Sequence, residues 1–267
     1  MEISKQIRLL IKKYSLYSSK RLGQNFLIDR SAIFYIRDAI NPASDRIYLE
    51  IGPGFLFITN SVAERAKKII AIEKDKRFEP YYEDTRHENI EIVMQDALKV
   101  DFSQWDVEEL FGNIPFNISS SLIVKIAKTK TINRTVLLFQ KEFAKRLLAG
   151  PGNKDYGSIT IFTDFFFKKQ FLKTFPPHFF YPMPLVSSTL INLVRRTDTP
   201  QSVNEDLLFR VVKGAFSKRR KTLFNALKKD FDGDILKNAI IDAGLPIEIR
   251  GENLSLEEFI RVSKNLY

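Results

Sequence analysis

The segment Asn113–Phe116 (NIPF) contains residue types that could act on a flat heterocyclic amine. It follows an apolar run that ends near Phe111. The side-chain oxygen of Asn113 and the carbonyl of Pro115 could each accept one hydrogen of an exocyclic amine, because proline has no N–H and holds the turn rigid. The nitrogen lone pair would then point at an electrophilic methyl group, with Phe116 stacked on the ring. A turn with a purely structural role is the other interpretation.

A methyl transfer of this kind needs no general base, since the methylated amine loses its proton readily. Catalysis would come from alignment of an in-line transfer and from electrostatic stabilisation of the developing positive charge. This chemistry explains why the segment carries an asparagine where general base catalysis would use a histidine. We therefore treat Asn113, Pro115 and Phe116 as candidate catalytic residues.

A glycine turn and two acids lie upstream and predict the second ligand. The segment Glu50–Gly54 (EIGPG) ends an apolar run, and glycines let a backbone approach a ligand closely. Glu73 follows Gly52 by 21 residues, where a carboxylate can bind both ribose hydroxyls, and Asp96 could accept a hydrogen bond from an adenine amine. The third glycine of a dinucleotide fingerprint is absent, which argues against a bound pyrophosphate. A tight turn with two surface acids is the bland alternative; together the features favour S-adenosylmethionine.

The elements that must position these residues follow from the apolar pattern. From position 47 onward, short apolar runs alternate with helix-length segments, which predicts an α/β fold with a parallel sheet. The predicted strands are IYLEI, KIIAIE, IEIVMQ, a run ending near Phe111, and TVLLF. Segments 164–175 and 188–196 are predicted to add strands at one edge, and the first fifteen residues are predicted to form an amphipathic helix. The candidate residues then lie at the carboxyl ends of strands, where open α/β sheets bind ligands.

A polar, proline-containing segment, 195–202, separates strand-like from helical sequence and predicts a domain boundary. We expect a Rossmann-like domain with an N-terminal helical extension over residues 1–197. Residues 198–267 are expected to form a small helical domain, because they contain short segments with apolar residues at helical spacing. We expect this domain to contact RNA, because its first part is rich in basic residues.

The net charge of +10 favours a polyanionic partner, because neutralising phosphates releases condensed counterions. Residues 207–229 include eight basic side chains and no acidic one. We expect this segment and the N-terminal helix to contact the RNA backbone, with Arg219, Arg220 and Lys221 foremost. A solvated helix face is the alternative interpretation of the charge run.

Composition also excludes several classes of protein. The chain has no cysteine and two histidines, which excludes disulfides and a cysteine-ligated metal site, so no metal is predicted. The N-terminal residues are charged throughout, and no apolar run reaches the roughly 18 residues of a membrane helix. We expect a cytoplasmic monomer with no membrane segment.

Several segments of the chain match a known family. They are LGQNFLID (22–29), EIGPG (50–54), Glu73, QDA (95–97), GNIPFNIS (112–119), LLAGPGNKDYGS (147–158) and FYPMPLVSS (180–188), with AFSKRRKTLFNAL and RGENLSLEEF (250–259) near the C-terminus. In these segments the chain resembles the rRNA adenine N6-dimethyltransferases that modify two adjacent adenines near the 3′ end of small-subunit rRNA. The resemblance covers nearly the whole chain. It implies a class I S-adenosylmethionine-dependent methyltransferase fold, a pre-ribosomal small subunit as partner, and a step in subunit biogenesis.

The same resemblance implies roles for residues outside the glycine turn. Asn25 and Leu27 would lie over the cofactor. Phe180 would supply a second aromatic face, so that a flipped adenine lies between Phe116 and Phe180. The cofactor site would be completed by Gly52, Glu73, Asp96 and Asn113.

The chain departs from the family pattern at three places. NIPF stands where NLPY is usual, which removes a phenolic hydroxyl that the proposed transfer does not require, so we expect activity to survive. Leu185 and Ser187 stand where lysine and aspartate are common. Those two departures concern a local ion pair or RNA contact rather than methyl transfer.

Two alternative functions remain open at this point. A large-subunit rRNA adenine methyltransferase of the antibiotic-resistance type shares the NIPF-like tetrapeptide, although the tracts GPGNKDYGS, AFSKRRKT and RGEN favour the small-subunit enzyme. A non-catalytic ribosome assembly factor or transcription factor on the same fold is the second. The intact Asn113, Glu73 and Asp96 argue against that loss of chemistry.

Overall fold

The computed structural model describes residues 3–19, 22–85, 87–198 and 203–266. Its β-strands are β1 (Phe26–Leu27), β2 (Ile47–Ile51), β3 (Lys68–Glu73), β4 (Ile90–Met94), β5 (Glu109–Asn113), β6 (Arg134–Gln140), β7 (Phe167–Phe175), β8 (Phe180–Tyr181) and β9 (Ser188–Arg195). Its α-helices are α1 (Ile3–Tyr14), α2 (Arg30–Ile40), α3 (Phe57–Ala63), α4 (Glu79–Asp84), α5 (Ser119–Lys128), α6 (Lys141–Leu148), α7 (Ser158–Phe166), α8 (Glu205–Ser217), α9 (Leu223–Leu227), α10 (Gly233–Asp242) and α11 (Leu256–Asn265).

The described strands form a seven-stranded sheet in the order β4-β3-β2-β5-β6-β9-β7. Strands β2 to β6 pair in parallel, and β9 pairs antiparallel with β6. Strands β2, β3 and β6 are almost continuously apolar and buried, as expected when a parallel sheet has both faces covered. The predicted α/β alternation is confirmed.

The chain reverses its direction across the sheet between β2 and β5. It passes from β2 outward to β3 and β4, then returns to build β5 and β6 on the other side of β2. Connections on opposite faces leave a crevice beyond the carboxyl ends of the strands at such a point. The glycine turn after β2 and the NIPF segment at the end of β5 therefore lie at the same edge.

One predicted element is wrong in part. Segment 164–175 was expected to be a strand throughout, but α7 continues to Phe166 and β7 begins at Phe167. The phenylalanine rings explain the helix: the ring centroids of Phe162 and Phe166, one helical turn apart, lie 5.0 Å from each other, and Phe165 lies 5.5 Å from Phe209. A cluster of aromatic residues alone does not distinguish a strand from a buried helix.

The chain divides into two compact units. The first comprises Met1–Ala144 and Lys169–Arg195, and the second comprises Lys145–Lys168 and Arg196–Tyr267. The predicted domains, 1–197 and 198–267, differ from these units in the segment Lys145–Lys168. That segment joins the second unit because Tyr156, Ile161 and Phe165 are buried in its hydrophobic core. Residues 199–202 of the predicted linker lie outside the described residues.

A helix that crosses a lipid bilayer needs about 20 consecutive, mostly apolar residues. Among the described residues, no helix is both long and apolar enough to cross a membrane.

Candidate active site

A cavity that is partly open to solvent lies in the first unit at the carboxyl ends of the parallel strands. It brings together seven of the residues that the sequence singled out: Asn25, Gly52, Glu73, Asp96, Asn113, Pro115 and Phe116. These residues come from the segment before β1, the turn after β2, the ends of β3 and β5, and the residues just beyond β4 and β5. The switch of strand order is what gathers them.

The glycine turn after β2 has a conformation that only glycine adopts easily. Gly52 and Gly54 have φ values of +70° and +53°. A Cβ atom on Gly54 would lie 2.9 Å from the ring of Phe26. The turn therefore needs glycine for its backbone angle at both positions and for space at the second.

Glu73 is a buried carboxyl group at the end of β3. Its side chain is 6% exposed, and it accepts hydrogen bonds from the backbone N–H groups of Asp75 (2.8 Å) and Gly54 (3.3 Å). Burial raises its pKa to about 7, against the opposing effect of those two hydrogen bonds. Each carboxylate oxygen retains a free lone pair, so the group can accept hydrogen bonds from both hydroxyls of a ribose.

Asp96 lines the cavity and is held in place by two contacts. Its Oδ1 accepts a hydrogen bond from the Leu98 N–H at 3.0 Å, and its Oδ2 pairs with Lys74 Nζ at 2.8 Å. Partial burial would raise the pKa of this carboxyl, but the bonds from Lys74 and Leu98 outweigh it and lower the pKa below the usual value. Asp96 is therefore an ionised acceptor at neutral pH.

Asn113 has its amide group oriented by the backbone of the segment before β1. Its Nδ2 donates a hydrogen bond to the Asn25 carbonyl at 2.7 Å. With the nitrogen engaged in this way, the side-chain oxygen of this cavity-lining residue is left as an acceptor. The contact also joins two segments that are 88 positions apart in the sequence.

Pro115 differs from what its place in the sequence suggested. Its carbonyl was expected to be unused, but it accepts hydrogen bonds from the Ile118 N–H (3.2 Å) and from the Ser119 hydroxyl (3.4 Å). These bonds close the turn that begins α5. Within the described chain, no hydrogen bond reaches the carbonyl of Ile114, which also lines the cavity. Ile114 therefore offers the uncommitted backbone acceptor next to Asn113.

The two predicted aromatic faces lie in different environments. Phe116 is half-buried and lines the cavity. Phe180 is 2% exposed and does not line it, and neither does Leu27, which is 3% exposed. The short strands β1 and β8 pair Leu27 with Phe180, and both side chains enter the hydrophobic core. This geometry does not support an adenine held between Phe116 and Phe180, and it places the Leu27 side chain in the core and outside the cavity lining.

Sequence reasoning missed two acids close to this cavity. Glu50 in β2 is 1% exposed, burial raises its pKa to about 8, and its Oε2 has no hydrogen-bond partner among the described residues. Asp75 is 5% exposed and binds Gln24 Nε2 at 2.8 Å, which fixes the LGQNF segment against the end of β3. The adjacent amide side chains of Gln24 and Asn25 in the LGQNF segment could have pointed to Gln24.

The three residues predicted to be foremost in RNA contact lie in the second unit. Arg220 and Lys221 are exposed. Arg219 is half-buried, donates a hydrogen bond to the Lys154 carbonyl at 2.9 Å, and pairs with Glu252 at 3.3 Å. Arg219 is thus engaged within the protein, whereas its two neighbours face solvent.

The cavity fits an adenosine-bearing cofactor on its own chemistry. Such a ligand would use three features of the lining. They are the turn at Gly52, which permits close approach of the backbone, the Glu73 carboxyl group for the ribose, and the ionised acceptor Asp96. Among the lining residues that the structure describes, Lys74 is the one cation, and it is paired with Asp96, so those residues form no basic cluster for a pyrophosphate.

Comparisons with solved structures agree with this geometry. A dimethyladenosine transferase from Plasmodium falciparum superposes with a TM-score of 0.75 at 27% identity, over 89% of this chain and 95% of that protein. The 23S rRNA methyltransferase ErmE gives a TM-score of 0.69 at 25% identity, over 91% of this chain and 99% of that protein. The fold is therefore that of a class I S-adenosylmethionine-dependent methyltransferase, as expected.

Sequence comparison extends the match over the second unit. A relative from Alkaliphilus oremlandii, named ribosomal RNA small subunit methyltransferase A, is 36% identical over 98% of this chain and 96% of its own length. A relative of the same name from Geobacillus thermodenitrificans is 37% identical over 96% of this chain and 94% of its own length. Residues 17–267 match the family described as ribosomal RNA adenine dimethylase. The resemblance drawn from the motifs is confirmed, and the chain belongs to the ribosomal RNA adenine dimethylase family.

Proposed function

We propose that this protein transfers methyl groups from S-adenosylmethionine to the N6 amines of two adjacent adenines near the 3′ end of small-subunit rRNA. The observation that carries the proposal is the orientation of Asn113, whose nitrogen is bonded to the Asn25 carbonyl so that its oxygen is left for an amine. Family membership and the names of the relatives support the choice of substrate.

The cofactor would be held by residues of the first unit. Glu73 would accept hydrogen bonds from the ribose hydroxyls, Asp96 from the adenine amine, and the turn at Gly52 would lie against the ligand backbone. Asn25 would act through its carbonyl, which orients Asn113. When bound, S-adenosylmethionine supplies the electrophilic methyl group.

The acceptor amine would be held by two oxygens. Asn113 Oδ1 accepts one hydrogen, and we assign the second hydrogen to the carbonyl of Ile114 in place of Pro115, because the Pro115 carbonyl already serves the turn. Two such bonds draw the nitrogen out of conjugation and aim its lone pair at the methyl carbon. The proline then fixes the direction of the segment.

Stacking would complete the acceptor site. Phe116 lines the cavity and can lie against the adenine, an interaction worth on the order of 1–3 kcal/mol per base. The base must leave its stack to reach this position. A second ring face from Phe180 would require that side chain to leave the core.

The partner is proposed to be a small subunit during its assembly, bound by a monomeric, cytoplasmic enzyme. The exposed Arg220 and Lys221 would contact RNA phosphates, together with basic side chains of α1. Methylation at this stage would form a step in subunit biogenesis.

The test compares two substrates in one assay. Purified protein and labelled S-adenosylmethionine are incubated with unmethylated small subunits and, separately, with naked large-subunit rRNA, and the label is mapped. We expect dimethyladenosine in the small subunit alone. Label in the large-subunit rRNA would favour an enzyme like ErmE, whose structure this chain also resembles. Binding of cofactor and subunits without any incorporation would favour a non-catalytic assembly factor.

A further inference from the structure

A second cavity lies wholly within the second unit, and the methyl-transfer site does not use it. Four basic or polar side chains of its lining are Arg146, Lys154, Ser158 and Arg219. Three sequence tracts that are far apart in the chain converge here: GPGNKDYGS, SKRRKT and RGEN. These are the tracts that distinguish the chain from the large-subunit type of enzyme.

Arg219 joins the SKRRKT tract to the other two. Its guanidinium donates to the carbonyl of Lys154, 65 positions away, and also pairs with Glu252. Two partners on two tracts hold the SKRRKT, GPGNKDYGS and RGEN segments against one another. Because both terminal nitrogens of its guanidinium are engaged within the protein, Arg219 has a positioning role in the cavity wall.

The loop that carries Lys154 is anchored at both ends. Gly152 N–H donates to the Glu252 carbonyl at 2.8 Å, and the buried Tyr156 donates its hydroxyl hydrogen to the Leu254 carbonyl at 2.6 Å. Between these anchors the side chain of Lys154 is exposed. The loop therefore presents a cation from a fixed backbone.

The charge of the lining suits a phosphate. Arg146 and Lys154 are both exposed, and Asp155 is the acidic residue among the lining side chains. The cavity also includes Ser158, the first residue of α7, where backbone N–H groups carry partial positive charge. An anionic group between the two cations would neutralise charge that otherwise faces water.

We propose that this cavity binds a backbone phosphate of the small-subunit rRNA, with Arg146 and Lys154 in contact and Arg219 as the positioning residue. The inference rests on the proposed function for the identity of the RNA. A phosphate held at a rigid site in the second unit would fix the register of the substrate without reading bases. The distinguishing tracts would then contribute to substrate choice through shape.

The test measures binding of unmethylated small subunits to the full-length protein at several salt concentrations, by filter retention, beside kcat and KM. The variants are Arg146→Ala, Lys154→Ala and their double, with Lys237→Ala as an exposed lysine of the same unit outside the cavity. For the double variant we expect about tenfold weaker binding and a slope of log K against log salt that is shallower by about 1 to 2. Its kcat and its affinity for S-adenosylmethionine should equal those of the wild type, as should all properties of Lys237→Ala.

A double variant with wild-type affinity and slope would overturn the proposal. Wild-type protein that binds subunits but does not methylate them would refute the proposed function, and the slopes would still decide on the phosphate site. Arg219→Lys separates positioning from charge: we expect it to bind subunits as weakly as Arg219→Ala, because lysine cannot replace the two-partner fork. Full rescue by lysine would contradict the positioning role.

Discussion

The two cavities are built in opposite ways. In the first unit, buried acids and a tight glycine turn lie at the ends of parallel strands, and Glu73 has a raised pKa of about 7 because it is buried. In the second unit, exposed cations stand on a loop and helices tied together by Arg219. Burial suits a site that must exclude water and hold one small ligand. Exposure suits a site that binds a large polyanion, because each phosphate contact adds a salt-dependent contribution to the affinity.

The largest expected effect concerns Asn113. Asn113→Ala removes the acceptor for the amine, and we expect kcat to fall about 10²–10³-fold, as for loss of one preorganised polar group at a reacting atom. Affinity for subunits and its salt dependence should stay at the wild-type level, because the second unit is unchanged. Single-turnover methylation and subunit binding measure the two quantities. Asn133→Ala, at an exposed asparagine outside the cavity, is the matched control, and equal turnover in both variants would refute the amine-binding role.

The next effect concerns Glu73 and pH. Glu73→Gln should weaken S-adenosylmethionine binding about 10- to 100-fold at pH 8, since hydrogen bonds to a charged group are worth roughly 1.5–3 kcal/mol. The pKa of about 7 means that the wild-type carboxyl is protonated below that pH and ionised above it. Hydroxyl donors prefer the ionised form, so wild-type affinity should fall as pH drops from 8 to 6.

Titration calorimetry across that range checks the prediction, with Glu91→Gln as an exposed acid for comparison. The Glu73→Gln profile should be flat, and persistence of the wild-type pH dependence in that variant would assign it to another group. Subunit binding through exposed lysine and arginine should vary little over the same range, which separates the two cavities.

A smaller effect, on stability, is expected from a Gly→Ala substitution that can be made in either unit. Gly54→Ala should destabilise the protein by about 1–3 kcal/mol, because Gly54 has a positive φ and its Cβ would meet the Phe26 ring. Gly150→Ala in the second unit meets no atom within 4 Å and should change stability by less than about 0.5 kcal/mol. Urea unfolding of both variants measures the difference. Equal losses would mean that the glycine turn is not constrained.

The smallest effect is expected for Phe116→Tyr, with Phe116→Ala as the larger change for comparison. Phe116→Tyr restores the ring type usual in the family, and activity should change by less than about threefold, because the transfer does not use the hydroxyl. Phe116→Ala should lose the stacking energy of about 1–3 kcal/mol, seen as a raised KM or reduced kcat for subunits. A tyrosine variant that greatly exceeds the wild type would give the hydroxyl a role that the geometry does not provide.

Local pattern was enough to predict the parallel strands and the residues at their ends. Glu73 and Asn113 each end an apolar run, and Asp96 follows one, so their approach follows from the way parallel strands align. The C-terminal helices were equally readable from apolar spacing. The strand predicted over 164–175 failed at its first residues, because consecutive phenylalanines satisfy a helix face as well as a strand.

The sequence by itself determined the class of fold, the family and the candidate residues Glu73, Asp96 and Asn113 of the first cavity, because these depend on short-range periodicity and on motifs a few residues long. Tertiary structure alone decided that Phe180 is buried against Leu27, that the Pro115 carbonyl closes a turn, and that Lys145–Lys168 packs in the second unit. It also decided that Arg219 ties together tracts 65 positions apart. Those outcomes depend on which segments distant in the sequence pack against each other, and the spacing of residues within one segment does not specify the segment that it will contact.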